Sequence, residues 1–288
     1  MNGPLRAIYL DDRSNSVNEE VSTTRWDDID AAADTAAFQS YLDRVTGLAA
    51  TQAIKERSRH LLRSTAGDRL LDVGCGNGDD TRALGDSVGA TASVVGVDNS
   101  VAMIEEARNR TDVSAATFIP ADAHALSFDT DTFDGVRADR VLQHLADPRA
   151  AFGELVRVTR SSGRVVVTEP DWGSLVVTAP GIDSEVTRSI LDPKWACVRH
   201  GRVGRRLRGR MADAGLTDVE LDTGVLAFTD METAESVLGL AGRVETVREH
   251  APDGNPDARK WYEALKQADA NDAFFASLTL FTVAGTKP

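Results

Sequence analysis

From about residue 69 onward, short apolar runs alternate with amphipathic stretches. Leu70, Leu71 and Val73 read as the end of a buried strand, and Gly74, Gly76 and Gly78 follow at once. A helical pattern begins at Asp79 and runs to Ser87. The next apolar run, Ala92 to Val97, stops at Asp98. Ser100 is placed to cap a helix whose apolar face is Val101, Ile104 and Ala107. Thr117 to Ile119 predicts a third strand and Phe133 to Ala138 a fourth. Asp147 followed by Pro148 marks a helix start, with Phe152, Leu155 and Val156 on its buried side. Val165 to Val167 is the fifth strand. This alternation of strand and helix predicts an α/β fold on a parallel sheet.

The flanks read differently. Residues 1 to about 30 are mixed and acidic, as in a partly mobile arm, yet Ile8, Tyr9, Leu10 and Trp26 are apolar enough to dock. From Asp30 to Arg63 the spacing of Ala36, Ala37, Tyr41, Leu42, Val45, Leu48, Ile54 and Leu61 is helical. Val203, Leu207 and Met211 form a stripe that predicts a helix packed on the sheet, ended by Gly215. Asp218 to Phe228 and Phe274 to Ala284 are the sixth and seventh strands. Between them lies a mostly helical insertion, broken at Pro252-Asp-Gly-Asn-Pro256. The expected division is an arm with lid helices (1–64), a ligand-binding core (65–228), a helical cap (229–272) and a last core strand (273–288).

Composition narrows the partners. A chain of 288 residues fits one large domain, or one domain with a cap. Of two cysteines, Cys75 and Cys197, the first lies inside the glycine turn, so a structural disulfide is not expected and a reducing cytoplasm fits. No apolar run is long enough for a membrane span. The first residues show no basic-then-apolar signal pattern. The formal net charge of −13 argues against broad contact with nucleic acid.

The glycine turn carries the chemistry. Its spacing is not that of a dinucleotide site, because Asp79 stands where the third glycine of G-x-G-x-x-G belongs. Asp72, just before the turn, would repel a pyrophosphate but suits an ammonium group. Asp98, at the end of the next strand, can accept hydrogen bonds from two ribose hydroxyls. A ligand with a ribose, a cationic amino acid end and no phosphates fits; S-adenosylmethionine (SAM) is one.

Several motifs then occur in order: Asp72-Val-Gly-Cys-Gly-Asn-Gly78, Val97-Asp98-Asn-Ser100 with Met103, Ala121-Asp122-Ala123, Phe133-Asp134 with Val141-Leu-Gln-His144, and Ser162-Gly163 leading into Val165 to Pro170. With these the chain resembles the class I SAM-dependent methyltransferases, and among them the small-molecule enzymes related to quinone methyltransferases. The resemblance covers Asp68 to about Val177 well and the remainder weakly. It implies a Rossmann-like sheet of seven mostly parallel strands with an antiparallel last strand, helices on both faces, and a helical cap. It implies SAM as cofactor, held by Asp72, Gly74, Gly76, Asp98, Asn99, Met103, Asp122, Ala123 and Arg140. In the family Asp122 meets the adenine amino group, the backbone of Ala123 faces the ring and Met103 packs against it. Helices such as those at 30–63 close the pocket, which makes Phe38 and Tyr41 candidate lid residues.

Methyl transfer from a sulfonium is an in-line displacement that alignment and desolvation can largely supply. A base is needed only where the acceptor must lose a proton. His144 and Asp171 are the catalytic candidates, with His200 behind them; a role for His144 in buttressing the cofactor loop stands as the alternative. Tyr41, Trp172 and Arg199 are the candidates for acceptor binding. Arg199 belongs to a cluster with Arg202, Arg205, Arg206, Arg208 and Arg210, in which Arg202, Arg206 and Arg210 share a predicted helix face. That cluster is either a solvated face or a site for an anionic group on the acceptor. No metal site is expected. The expected function is methyl transfer to a small, ring-containing metabolite, with oxygen slightly favoured over carbon or nitrogen. The alternatives are a SAM-binding enzyme of cyclisation or rearrangement, a protein or RNA methyltransferase, and a non-enzymatic regulatory module. The sequence leaves the oligomeric state open.

Overall fold

A computed structural model describes residues 26, 29–31, 35–89, 92–110, 116–192, 198–250 and 257–288. The expectations for Ile8 to Leu10, for Cys197 and for the Pro252 to Pro256 break lie outside the described residues. Helices α1 (Thr35–Gly47) and α2 (Ala49–Leu61) come first. Then follow β1 (Arg69–Val73), α3 (Asp79–Val88), β2 (Ser93–Asp98), α4 (Val101–Asn109), β3 (Ala116–Pro120), β4 (Phe133–Asp139), α5 (Pro148–Val158) and β5 (Thr159–Pro170). The remainder is β6 (Val176–Val177), α6 (Ser184–Ile190), α7 (Leu207–Asp213), β7 (Thr217–Phe228), α8 (Met231–Leu238), α9 (Leu240–His250), α10 (Ala258–Ala270) and β8 (Ala276–Thr286).

Eight strands form one sheet in the order β3-β2-β1-β4-β5-β8, with β7 on the far side of β8. β1 to β5 are parallel, and β8 runs antiparallel to β5 and β7. Seven strands were predicted. The extra one, β6, has two residues and continues along the edge of β8 that β5 occupies, too short to leave a period in the sequence. Strand order reverses at β1, between β2 and β4, and such switch points place ligands at the carboxyl ends of the strands.

The two faces of the sheet differ. On one, Leu71, Val73, Val97, Val136, Ala138, Val165 and Val167 pack against Phe152 and Leu155 of α5 and against Val203, Leu207 and Met211. On the other, Leu70, Val94 and Val166 meet Leu62, Leu84 and Val88, and above them runs a band of charge. There Arg137, only 1% exposed, donates to Asp72 (3.1 Å), Asp80 (3.2 Å), Asp139 (2.6 Å) and Ser58 Oγ (3.0 Å). Lys55 and Arg59 of α2 each reach Asp80 at 2.5 Å. Burial disfavours the Asp80 anion, but Arg137 and Lys55 outweigh it and hold its pKa well below the usual carboxylate range. This buried network ties α2 to the ends of β1 and β4. Removing one member of such a network leaves the others charged and uncompensated.

Among the described residues, helices α8, α9 and α10 lie between β7 and β8 and bury Trp261 and Leu265 against Leu226, Phe228 and Leu278. The Val203-Leu207-Met211 stripe is buried, but α7 begins only at Leu207, after a 3₁₀ turn over Gly204–Arg206. Arg202 therefore does not share a helix face with Arg206 and Arg210. The cause is close packing: a Cβ on Gly204 would lie 2.7 Å from the Glu169 carbonyl, so this turn is held against the end of β5.

Candidate active site

The turn after β1 is built from backbone. Gly74, Gly76 and Gly78 have φ of 71°, 51° and 79°. The amides of Gly74 and Cys75 both donate to Val97 O (2.7 and 2.9 Å), which fastens the turn to β2. A Cβ on Gly74 would come within 2.3 Å of Val141 Cγ2, so the residue after Arg140 sits directly on the turn. Asp98 accepts from Gly76 N through Oδ2 and from Ser100 N through Oδ1, both at 3.0 Å. Burial pushes its pKa up, and it forms no salt bridge among the described residues.

The segment around Asp30 packs beside this turn. Asp30 accepts from Ser100 Oγ (2.5 Å), Val101 N (2.8 Å) and Ala102 N (3.3 Å), which clamps the segment before α1 onto the start of α4. Behind the clamp, Ile29, Ala37, Phe38 and Met103 form a buried apolar cluster. The Trp26 ring stands 5.0 Å from Phe38, 5.3 Å from Tyr41 and 5.6 Å from His144, centre to centre.

The loop after β4 closes the third side. Arg140 takes a left-handed conformation (φ 59°), donates its amide to Thr168 O (2.8 Å) and its Nε to Asp139 (2.9 Å). Val141 N and Leu142 N both donate to Glu169 Oε1, at 2.9 and 2.6 Å. Burial, reinforced by Arg140, lowers the His144 pKa to about 3, so its imidazole is neutral near pH 7. Gln143 joins two elements: its carbonyl accepts from His200 N (2.9 Å), and its Oε1 accepts from Trp172 Nε1 (2.8 Å). The Arg243 guanidinium lies 5.8 Å from the Trp172 ring centre, and Tyr41 donates to Val237 O (3.3 Å). Residues from Trp26, α1, the β4–α5 loop and the α8–α10 region thus meet here.

A methyltransferase domain family matches residues 64–200. An uncharacterized 37.1 kDa protein of transposon TN4556 from Streptomyces fradiae is 35% identical over 247 residues, 85% of this chain and 70% of that protein. The demethylmenaquinone methyltransferase of Clavibacter sepedonicus is 39% identical over 105 residues, 36% of this chain and 42% of the enzyme. The chain therefore spans about two fifths of that relative's length. The crystal structure of YcgJ from Bacillus subtilis superposes with a TM-score of 0.58 at 18% identity, over 82% of this chain and 98% of that one.

The chain belongs to the class I SAM-dependent methyltransferases.

SAM is the cofactor of this methyltransferase. The donor set suits it: Asp98 is a half-buried carboxylate with no salt bridge among the described residues, a good acceptor for hydroxyl donors, and the turn's glycines put no side chain between their backbone and a ligand. Of the acids near the turn, Asp72 and Asp139 are paired with Arg137, whereas Asp98 accepts from backbone amides. Asn99 follows Asp98 and is exposed; Met103 and Ala123 are buried nearby in sequence order on α4 and after β3.

Several predicted residues stand differently in the methyltransferase. Asp72 is turned into the sheet, where Arg137 and Thr81 Oγ1 (2.8 Å) take one oxygen each, so it buttresses the turn rather than facing an ammonium group. Asp122 is exposed, with Oδ1 bound by His124 N (2.9 Å) and Nδ1 (2.7 Å). Asp171 is not placed to act as a base: it is buried, caps Gly173 N (3.2 Å) and is gripped by Arg205 at 2.7 Å. Arg199 lies exposed in a turn well before α7, not at a helix start. Trp26, Asp30, Gln143 and Arg137 are at the site without having been singled out for it, and Glu169 is there as the end of the fifth strand predicts. Arg137 had a visible signal, a charge in the middle of an apolar strand, and Glu169 another, an acid ending the run Val165-Val-Val-Thr168. Among the described residues, no group of three or more His, Cys, Asp or Glu side chains could hold a metal ion.

Proposed function

We propose that this enzyme methylates a small-molecule acceptor that carries a ring. The observation that carries this reading is the pair of partly exposed rings, Trp26 and Tyr41, gathered beside His144 at the carboxyl end of the sheet. Aromatic walls favour flat apolar partners. The relatives named demethylmenaquinone methyltransferases support a ring-bearing acceptor. The net charge of −13 supports a small molecule over a nucleic acid. A cytoplasmic setting agrees with the free thiol of Cys75 inside the turn.

In this reading Gly74 and Gly76 line the cofactor with backbone, Asp98 takes the ribose hydroxyls, and Asn99, Met103 and Ala123 flank the adenine. Asp122 Oδ2, which His124 leaves open, accepts from the adenine amine. Arg140 and the loop it begins face the amino acid end, and Trp172 with Tyr41 bounds the acceptor. Bound SAM supplies a methyl group already activated on sulfur. The chain's own part is to align the acceptor and exclude water. His144, neutral and weakly basic, orients the acceptor or accepts a hydrogen bond from it rather than removing a strongly held proton. Oxygen methylation therefore suits hydroxyls acidic enough to arrive ionised, such as phenols with withdrawing groups and carboxylates. Incubation with methyl-labelled SAM and a panel of phenolic and carboxylated ring compounds tests this. Label on an acidic ring hydroxyl supports the reading. Label only on amines, protein or RNA would replace it.

A further inference from the structure

Glu169 is buried at the last turn of β5, in a position that the chemistry above does not use. Its Oε1 accepts from two successive amides, Val141 N at 2.9 Å and Leu142 N at 2.6 Å. Its Oε2 is buried and has no partner among the described residues. The two amides belong to the loop that leaves β4 through the left-handed Arg140. That loop has no strand or helix of its own to satisfy them, because α5 starts only at Pro148. Two buried N–H groups without an acceptor are costly, so the carboxyl decides where this backbone can rest. The next contact is with the cofactor turn. The Val141 side chain lies where a Cβ on Gly74 would come within 2.3 Å. Glu169, Val141 and Gly74 therefore form one continuous contact from the end of β5 to the backbone that SAM approaches.

We propose that Glu169 is a positioning residue: its carboxyl seats the 140–144 loop on the glycine turn and so sets the place of Val141, Arg140 and His144. This rests on the cofactor reading of the turn. The surroundings make a closely packed, buried seat. The backbone of Gly204 closes the far side of β5, with no room for a Cβ against the Glu169 carbonyl. Asp139 and Arg140 flank it from β4, and Asp171 with Arg205 follows it on the chain. Burial, with Asp139 adding to the effect against the pull of the Leu142 amide, pushes the Glu169 pKa up to about 8. Near neutral pH the side chain is thus mostly a neutral acid with one oxygen accepting. A glutamine presents the same accepting oxygen at the same reach.

This equivalence provides the test. S-adenosylhomocysteine affinity by calorimetry, and hydrogen exchange of the Val141 and Leu142 amides, are measured at pH 7 in wild type, Glu169→Gln, Glu169→Leu and Glu169→Asp. Glutamine should hold affinity within about threefold and keep both amides protected. Leucine offers no acceptor, and aspartate is one methylene too short. Both should weaken binding by about tenfold or more and expose the two amides, while β1 and β4 amides stay protected. If leucine does not fold, the glutamine and aspartate pair decides. Wild-type affinity and protection in the aspartate or leucine variant would overturn the proposal, as would a glutamine variant as impaired as leucine. Failure of wild type to bind S-adenosylhomocysteine would strike the cofactor reading instead, and the exchange measurement would still judge Glu169.

Discussion

The cofactor side and the proposed acceptor side of this site are made in different ways. The first is backbone and one strand-end acid: three positive-φ glycines after β1, and Asp98 after β2, joined by amides of the same few residues. The second is assembled from side chains that meet only in the folded chain: Trp26 and Tyr41 from the lid, His144 from the β4–α5 loop, and Trp172 and Arg243 with the cap. A backbone site is written in local spacing and admits one ligand geometry. A side-chain site can be rebuilt by exchanging a few distant residues, so the acceptor can diverge while the cofactor does not. Arg137 and Glu169 join the two, one beneath each face of the sheet end.

Substitutions at these joints separate the halves. Arg137→Ala should have the largest effect, because Asp72 would lose its salt bridge, Asp139 would keep only Arg140, and Asp80 would keep Lys55 and Arg59. A loss of about 3–5 kcal/mol of unfolding free energy is expected from denaturant titration. A loss below about 1 kcal/mol would mean that water replaces the guanidinium and that the network is no pin. Gly74→Ala combines a positive φ with a Cβ pressed into Val141, and should cost about 1–3 kcal/mol, read as an affinity for S-adenosylhomocysteine about fivefold or more weaker. An unchanged affinity would separate the 140–144 loop from the cofactor turn.

The pH effects are smaller and have a definite sign. Glu169 holds its proton in the folded state up to about pH 8 but loses it near the ordinary glutamate value when unfolded. The folded state therefore binds more protons over that interval, and stability should fall as pH rises from about 4.5 to 8. Glu169→Gln should lack this slope in thermal unfolding at several pH values. Parallel curves for the two proteins would show that Glu169 is ionised in the fold. His144 has the opposite sense: lowered to about 3, it contributes stability that is lost as pH falls from the ordinary histidine value towards 3. Its imidazole stays neutral at pH 6 and above, so methyl transfer should show no limb between pH 6 and 7 that His144→Gln removes. Such a limb, abolished by that substitution, would make His144 a base with an ordinary pKa.

Much of the fold was legible in the sequence, and the reason differs by element. The strands from Leu70 to Val167 could be read because buried parallel strands are short continuous apolar runs, and the turn because only glycine spacing permits three positive φ values. β6 could not be read, since two residues carry no period. The start of α7 was misplaced because the Gly204 turn depends on backbone from β5, far away in sequence. Asp171 and Arg199 illustrate the same limit at the site. An acid after Pro170 looks like a free base until Arg205 is seen on it, and an arginine cluster looks helical until its turn is seen. Residue type and spacing specify backbone and burial well. They specify side-chain partners poorly, because each partner comes from another segment.

The measurement that bears most directly on the whole is calorimetric titration of SAM into wild type and Asp98→Ala. Removing a half-buried carboxylate that would accept two hydroxyls should weaken binding about 100-fold or more from a micromolar starting point, with the fold intact by circular dichroism. Equal affinity in the two proteins would place the cofactor somewhere other than the end of β2, and the acceptor site argued from it would fall as well.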